Sequence, residues 1–194
     1  MDKIHFYPSI KKRLDDIGPG MCLAKWDQVT IHLATGHTHS CHHPNTHKIP
    51  LEEIEKDPSA LHNTVYKKLQ RQRMLNGERP EECDYCWRVE DSVKEENIFS
   101  DRVAKSGEQW AQNFDEVLAV GAGNINPTYV EVSFSNVCNF KCSYCSPEVS
   151  SQWMEEIKQY GPYPTDNRFN NIEWLQHIDK MPIPEREHNP YVEA

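Results

Sequence analysis

The sequence predicts an α/β chain built from two segments: a cysteine-bearing α+β region over residues 1–124, and a strand–loop–helix unit that opens the stretch 125–194. Three observations carry this. Apolar side chains alternate at Val29, Ile31 and Leu33, and again at Val130, Val132 and Phe134, the period of a half-buried strand. Other apolar residues recur at helical spacing, at Leu61, Val65 and Leu69 and at Trp153, Ile157 and Tyr160. The seven cysteines fall into groups on both sides of the boundary, marked by the turn-forming GAGN at 121–124.

The elements follow in order. Residues 27–35 read as a strand, Gly36 as a turn, and THSC as a return strand that delivers Cys41. Pro44, Pro50 and Pro58 break the next stretch into loop and short turns. Ser59 then caps a helix that ends at Asn76-Gly77, and ERPEECDYCW places Cys83 and Cys86 on the loop beyond it. Residues 87–124 are polar and partly helical. The strand over 129–134 runs directly into Cys138, and Ser150 or Ser151 caps a helix stopped by Gly161 and Pro162. The tail from 161 to 194 carries five prolines and reads as irregular, and the acidic runs LEEIEKD and VEDSVKEEN read as solvated surfaces.

Composition narrows the function. With 21 Lys plus Arg against 30 Asp plus Glu, the formal charge is −9, which argues against phosphate-driven nucleic-acid binding. No apolar run approaches the ~18 residues of a membrane span, and MDKIHFYPSI lacks the hydrophobic core of an export signal. A cytoplasmic chain with no membrane partner is expected. Seven cysteines cannot all pair, and grouped cysteines in a reducing compartment are more often metal ligands or redox groups.

The sharpest signal is Cys138-x3-Cys142-x2-Cys145 between a strand and a helix. A four-iron cluster takes one thiolate per iron, so three thiolates on a compact loop leave one iron open to an outside ligand. VCNFKCSYC, with Tyr144 just before the third cysteine, resembles the signature of the radical S-adenosylmethionine (radical SAM) superfamily. The resemblance implies that Cys138, Cys142 and Cys145 ligate a 4Fe-4S cluster that chelates S-adenosylmethionine, with Tyr144 near the adenine. It implies reductive cleavage of SAM to a 5′-deoxyadenosyl radical that abstracts a substrate hydrogen. It also implies that the strand and helix open a partial β/α barrel, and that a flavodoxin or ferredoxin supplies the electron. Zinc held by three cysteines and a histidine, or a ferredoxin-like electron carrier, is the alternative reading of these residues.

Cys22, Cys41, Cys83 and Cys86 form a second set. C-x13-G-x4-C followed by C-x2-C, with CLAKW and LQRQRMLNGERPEECDYCW around it, resembles the auxiliary-cluster modules called twitch and SPASM domains. Gly36 fits the tight turn such a hairpin needs. The resemblance implies a second, auxiliary 4Fe-4S cluster; a structural zinc is the alternative for four thiolates. The six histidines from His32 to His47, with His39, His42 and His43 closest to Cys41, read as solvated hairpin residues.

A six-fold barrel needs roughly 190 residues in proportion to a full eight-fold one, and fewer than fifty follow Cys145. The Gly-Gly-Glu-Pro stretch that holds the SAM amino group in the superfamily is not found in this sequence. The expectation is therefore an amino-terminal portion carrying an incomplete barrel, a chain completed by a partner, or a degenerate relative that keeps clusters without catalysis. Peptides or small-molecule cofactor precursors lead as substrates by analogy alone, and a non-catalytic zinc-binding interaction module is the competing function.

Overall fold

The computed structural model describes residues 3–92, 98–111 and 113–194. The chain is mixed α/β and divides into two compact units, Met1–Thr30 with Thr38–Glu131 and Ile31–His37 with Val132–Ala194. Its elements begin with α1 (Lys3–Ile17), α2 (Ala24–Asp27), β1 (Gln28–His32), β2 (His37–His39) and β3 (His47–Lys48). Helices α3 (Leu51–Lys56), α4 (Val65–Leu75), α5 (Asp84–Ser92), α6 (Asp101–Ser106) and α7 (Phe114–Val120) follow. Strand β4 (Tyr129–Ser133), α8 (Ser151–Tyr160), α9 (Ile172–His177) and α10 (Pro190–Glu193) close the order, and the four strands form one sheet, β3–β2–β1–β4. No helix among the described residues is long and apolar enough to cross a membrane.

In the first unit the core joins Leu14 of α1, Met21, Leu23, Trp26, Met74, Cys86, Trp87, Val103, Phe114 and Val117. Glycine decides how the chain reaches it. A Cβ on Gly20 would lie 1.8 Å from the Glu78 carbonyl oxygen, so only glycine lets the residues before Cys22 cross the turn that leads to Cys83. Val29 and Ile31 are buried as their alternation predicts, but Gln28 and Thr30 are buried too. The reason is that β1 is paired on both edges and covered on both faces, where a half-buried strand was expected.

Helix α4 departs from its apolar pattern. Val65 and Leu69 are exposed, whereas Lys67, Gln70, Arg71 and Met74 are buried. Hydrogen bonding outweighs hydrophobicity there: Arg71 donates to Asn63 Oδ1 at 2.8 Å and to the Gly123 carbonyl at 3.0 Å, and Lys67 to Thr38 Oγ1 at 2.8 Å. The cap is Thr64, whose Oγ1 accepts from the Lys67 N–H, because a separate 3-10 turn occupies Pro58–Leu61. Gly77, at φ +77°, ends the helix where the sequence predicts.

In the second unit Ser150 caps α8, and Gly161, at φ +86°, stops it. The tail is more ordered than its prolines imply. Asn171 caps α9 and Asn189 caps α10, and Tyr191 of α10 packs on Gly36, where a Cβ would lie 2.1 Å from the ring. The predicted buried strand face of Val130, Val132 and Phe134 is exposed at all three residues, as are Val137 and Phe140. Of the acidic runs, LEEIEKD forms the surface helix α3, though Ile54 is buried. VEDSVKEEN extends into residues 93–97, outside the described residues, and its Glu90 is buried in an ion pair with Arg102.

Candidate metal centres

The four amino-terminal cysteines come from three distant segments and line one small cavity, with His43, Pro44, Trp87, Asp101, Arg102 and Lys105. Each segment is fastened separately. Arg102 donates to the Met21 carbonyl at 3.0 Å and the Ser106 hydroxyl accepts the Leu23 N–H at 3.0 Å, so α6 grips the chain on both sides of Cys22. Arg102 is itself held by Glu90 and Asp15 at 2.8 and 2.9 Å. The Cys83 turn is closed by its own N–H to the Pro80 carbonyl and by Trp87 Nε1 to the same oxygen at 2.8 Å. A buried Lys25–Glu82 ion pair ties that turn to α2. Cys86 lies within the first turn of α5, not on the loop the sequence implies. Cys41 follows β2 in a bend, its carbonyl bonded to His39 Nδ1.

Burial pushes all four thiols up, Cys83 to about 11 and Cys86 to about 12, and the neighbouring thiols raise Cys22 and Cys86 further. The buried Lys25 and Arg102 cations beside the cavity oppose that rise at Cys22.

Zn–S bonds of ~2.3 Å in a tetrahedron put sulfurs ~3.8 Å apart. Among the described residues, no three of these sulfurs lie within 4.8 Å of one another; the group that does converge so closely is His42, His43 and Asp101.

The three-cysteine loop in the second unit is built differently. The start of α8 holds it: Ser150 Oγ donates to the Phe140 carbonyl at 2.9 Å, and Ser151 Oγ to the Cys138 carbonyl at 3.1 Å. The Cys138 N–H returns a bond to Ser151 Oγ at 3.2 Å, and Trp153 Nε1 donates to the Cys142 carbonyl at 2.9 Å. Cys142 and Cys145 are joined by a backbone bond of 3.0 Å, and both Cys142 and Cys138 help raise the Cys145 thiol, after burial. Tyr144 is 87% exposed, and the neighbouring Cys142 thiol pushes its hydroxyl pKa up. A cavity of about 440 Å³ adjoins Cys145, bordered by Lys141, Ser143, Trp153, Tyr163 and Asn167.

No protein-family model, curated protein or solved structure matches the chain. The sequence pattern selected all seven cysteines but missed Arg102, Ser106, Lys25 and Asp101. No local signal marks these residues, because each acts across a long sequence separation. Only CLAKW, which places Lys25 three residues after Cys22, offered a hint.

Proposed function

We propose that the chain is an iron–sulfur protein of the radical SAM type, with two separate cluster sites. Cys22, Cys41, Cys83 and Cys86 hold an auxiliary 4Fe-4S cluster, and Cys138, Cys142 and Cys145 hold a second one on the first strand–loop–helix unit of an incomplete barrel. The observation that carries this reading is the meeting of four cysteines from three distant segments in one cavity.

Four cysteine ligands close the auxiliary site, which leaves electron transfer or structural support as its role. At the loop, a bound cluster with one iron free of cysteine supplies the low-potential electron for reductive cleavage of S-adenosylmethionine. This chain's residues do the positioning. Ser150, Ser151 and Trp153 fix the loop at Phe140, Cys138 and Cys142 from one helix start. Tyr144 offers an exposed aromatic face for the adenine, and the cavity beside Cys145 gives room for a small ligand. A flavodoxin or ferredoxin is the electron donor, and a peptide or a small cofactor precursor is the substrate class.

Anaerobic reconstitution with iron and sulfide tests the reading. Roughly eight irons and eight sulfides per chain are expected, with SAM perturbing the spectrum of one cluster only. Stoichiometric zinc without sulfide would instead make the chain a zinc-binding module.

A further inference from the structure

We propose that His42, His43 and Asp101 form a third metal site, for a single divalent transition-metal ion, on the rim of the cysteine cavity. The inference does not rest on the iron–sulfur reading.

Three ligand atoms converge. His43 Nε2 lies 2.8 Å from Asp101 Oδ2 and His42 Nε2 lies 3.4 Å from the same oxygen. Ligands about 2.1 Å from a metal stand ~3.0 Å apart in an octahedron and ~3.4 Å apart in a tetrahedron. The two edges to Asp101 are close to those lengths, all three ligand atoms lie within 4.8 Å of one another, and a metal would take the place of the His43–Asp101 hydrogen bond.

Consecutive residues of a strand point to opposite faces, which would separate neighbouring histidines. Here both follow the end of β2, in a bend, and their ring centroids come within 4.0 Å. Stacking fixes one ring: His43 lies on Tyr85 at 3.7 Å between centroids, 15° from parallel. Asp101 opens α6, the helix that grips Cys22 through Arg102 and Ser106. A metal would therefore bolt the Cys41 bend to the helix that holds Cys22.

Two imidazoles and one carboxylate suit Fe²⁺, Co²⁺ or Zn²⁺, with the remaining positions left to water or a ligand. Water can reach the ion, because the His42 side chain is 62% exposed. The other charges acting on His42 are Lys105 and Glu131, of opposite sign, which leaves Asp101 to set the charge of the site.

Co²⁺ is the probe, because nitrogen and oxygen ligands give weak visible bands whereas thiolate ligands add intense charge-transfer absorption. It is titrated anaerobically into the full chain, both as purified and after iron and sulfide reconstitution. About one equivalent is expected to bind with a nitrogen/oxygen-type spectrum. His42→Gln, His43→Gln and Asp101→Asn are each expected to weaken this binding about tenfold or more, and Cys83→Ser is expected to leave it intact. His42→Gln changes an exposed side chain, so an unaltered thermal melt shows that its effect is not unfolding. Thiolate-type binding alone, no saturable uptake, or uptake indifferent to these three substitutions would overturn the site. Iron and sulfide content, measured on the same samples, reports separately on the two clusters.

Discussion

The cysteine cavity of the first unit and the cysteine loop of the second bring their cysteines together by opposite routes. The cavity gathers residues 22, 41, 83 and 86 through long-range clamps, buried ion pairs and a glycine crossing. The loop gathers residues 138, 142 and 145 by local spacing, and needs only one helix start to hold it. The first draws four cysteines from three segments around one cavity, with Cys86 buried and the other three half-buried. The second carries three half-buried cysteines on one loop, with an exposed Tyr144 and a cavity at its side. The first arrangement rests on tertiary structure and the second on sequence spacing.

If the cavity depends on long-range clamps, removing one should damage it selectively. Arg102→Met strips Glu90 of its closest cation, leaving it the Ser100 hydroxyl and Arg79 at 3.9 Å, and up to about 3–5 kcal/mol of stability should be lost. A thermal or urea melt measures that loss. In protein that remains folded, the iron of the cavity should fall while the loop keeps its own.

Burial in the first unit also sets a pH dependence, at Asp27, as it raises Glu148 in the second. Asp27 is buried, with Oδ1 bonded to Asn113 and Oδ2 without a hydrogen-bond partner among the described residues, and burial raises its pKa to about 6. A folded pKa above the unfolded value near 3.8 gives stability that is present below that value and lost as pH rises through 6. Urea unfolding should therefore show about 2–3 kcal/mol less stability at pH 7 than Asp27 would allow if it stayed protonated. Asp27→Asn should flatten the slope between pH 4 and 6, and a slope unchanged in that variant would assign it to other groups.

The smallest effect belongs to the loop. Ser150→Ala removes both the cap of α8 and the bond to the Phe140 carbonyl, at about 1 kcal/mol. Iron should dissociate faster from the loop, and the cavity's iron should be unchanged. Equal loss from both would mean that the two centres are not built independently.

The same contrast explains what could be read from the sequence. The strand and helix over 129–160 were legible because each signal there is local, a serine cap and a stopping glycine among them, though the strand's alternating face, Val130, Val132 and Phe134, is exposed where burial was expected. The four-cysteine set was legible only as a pattern similar to known modules, since nothing in its spacing says that residue 22 meets residue 86. Helix α4 was placed but turned the wrong way, because the hydrogen bonds of Arg71 and Lys67 outweigh the exposure of Val65 and Leu69. Helices α9 and α10 were missed because their order comes from asparagine caps and from Tyr191 seated on Gly36, not from periodicity. His42 and His43 were set aside as solvated because their partner, Asp101, lies 58 residues beyond His43.

The most direct test of two independent centres is the iron and sulfide content of two folded variants, reconstituted anaerobically beside the unaltered chain. Cys138→Ala, Cys142→Ala and Cys145→Ala together should remove about half the iron and leave the cavity's visible absorbance. Cys83→Ala with Cys86→Ala should remove the other half and leave the loop's. Loss of all iron in either folded variant, or zinc in place of iron and sulfide in the unaltered chain, would contradict two separate iron–sulfur sites.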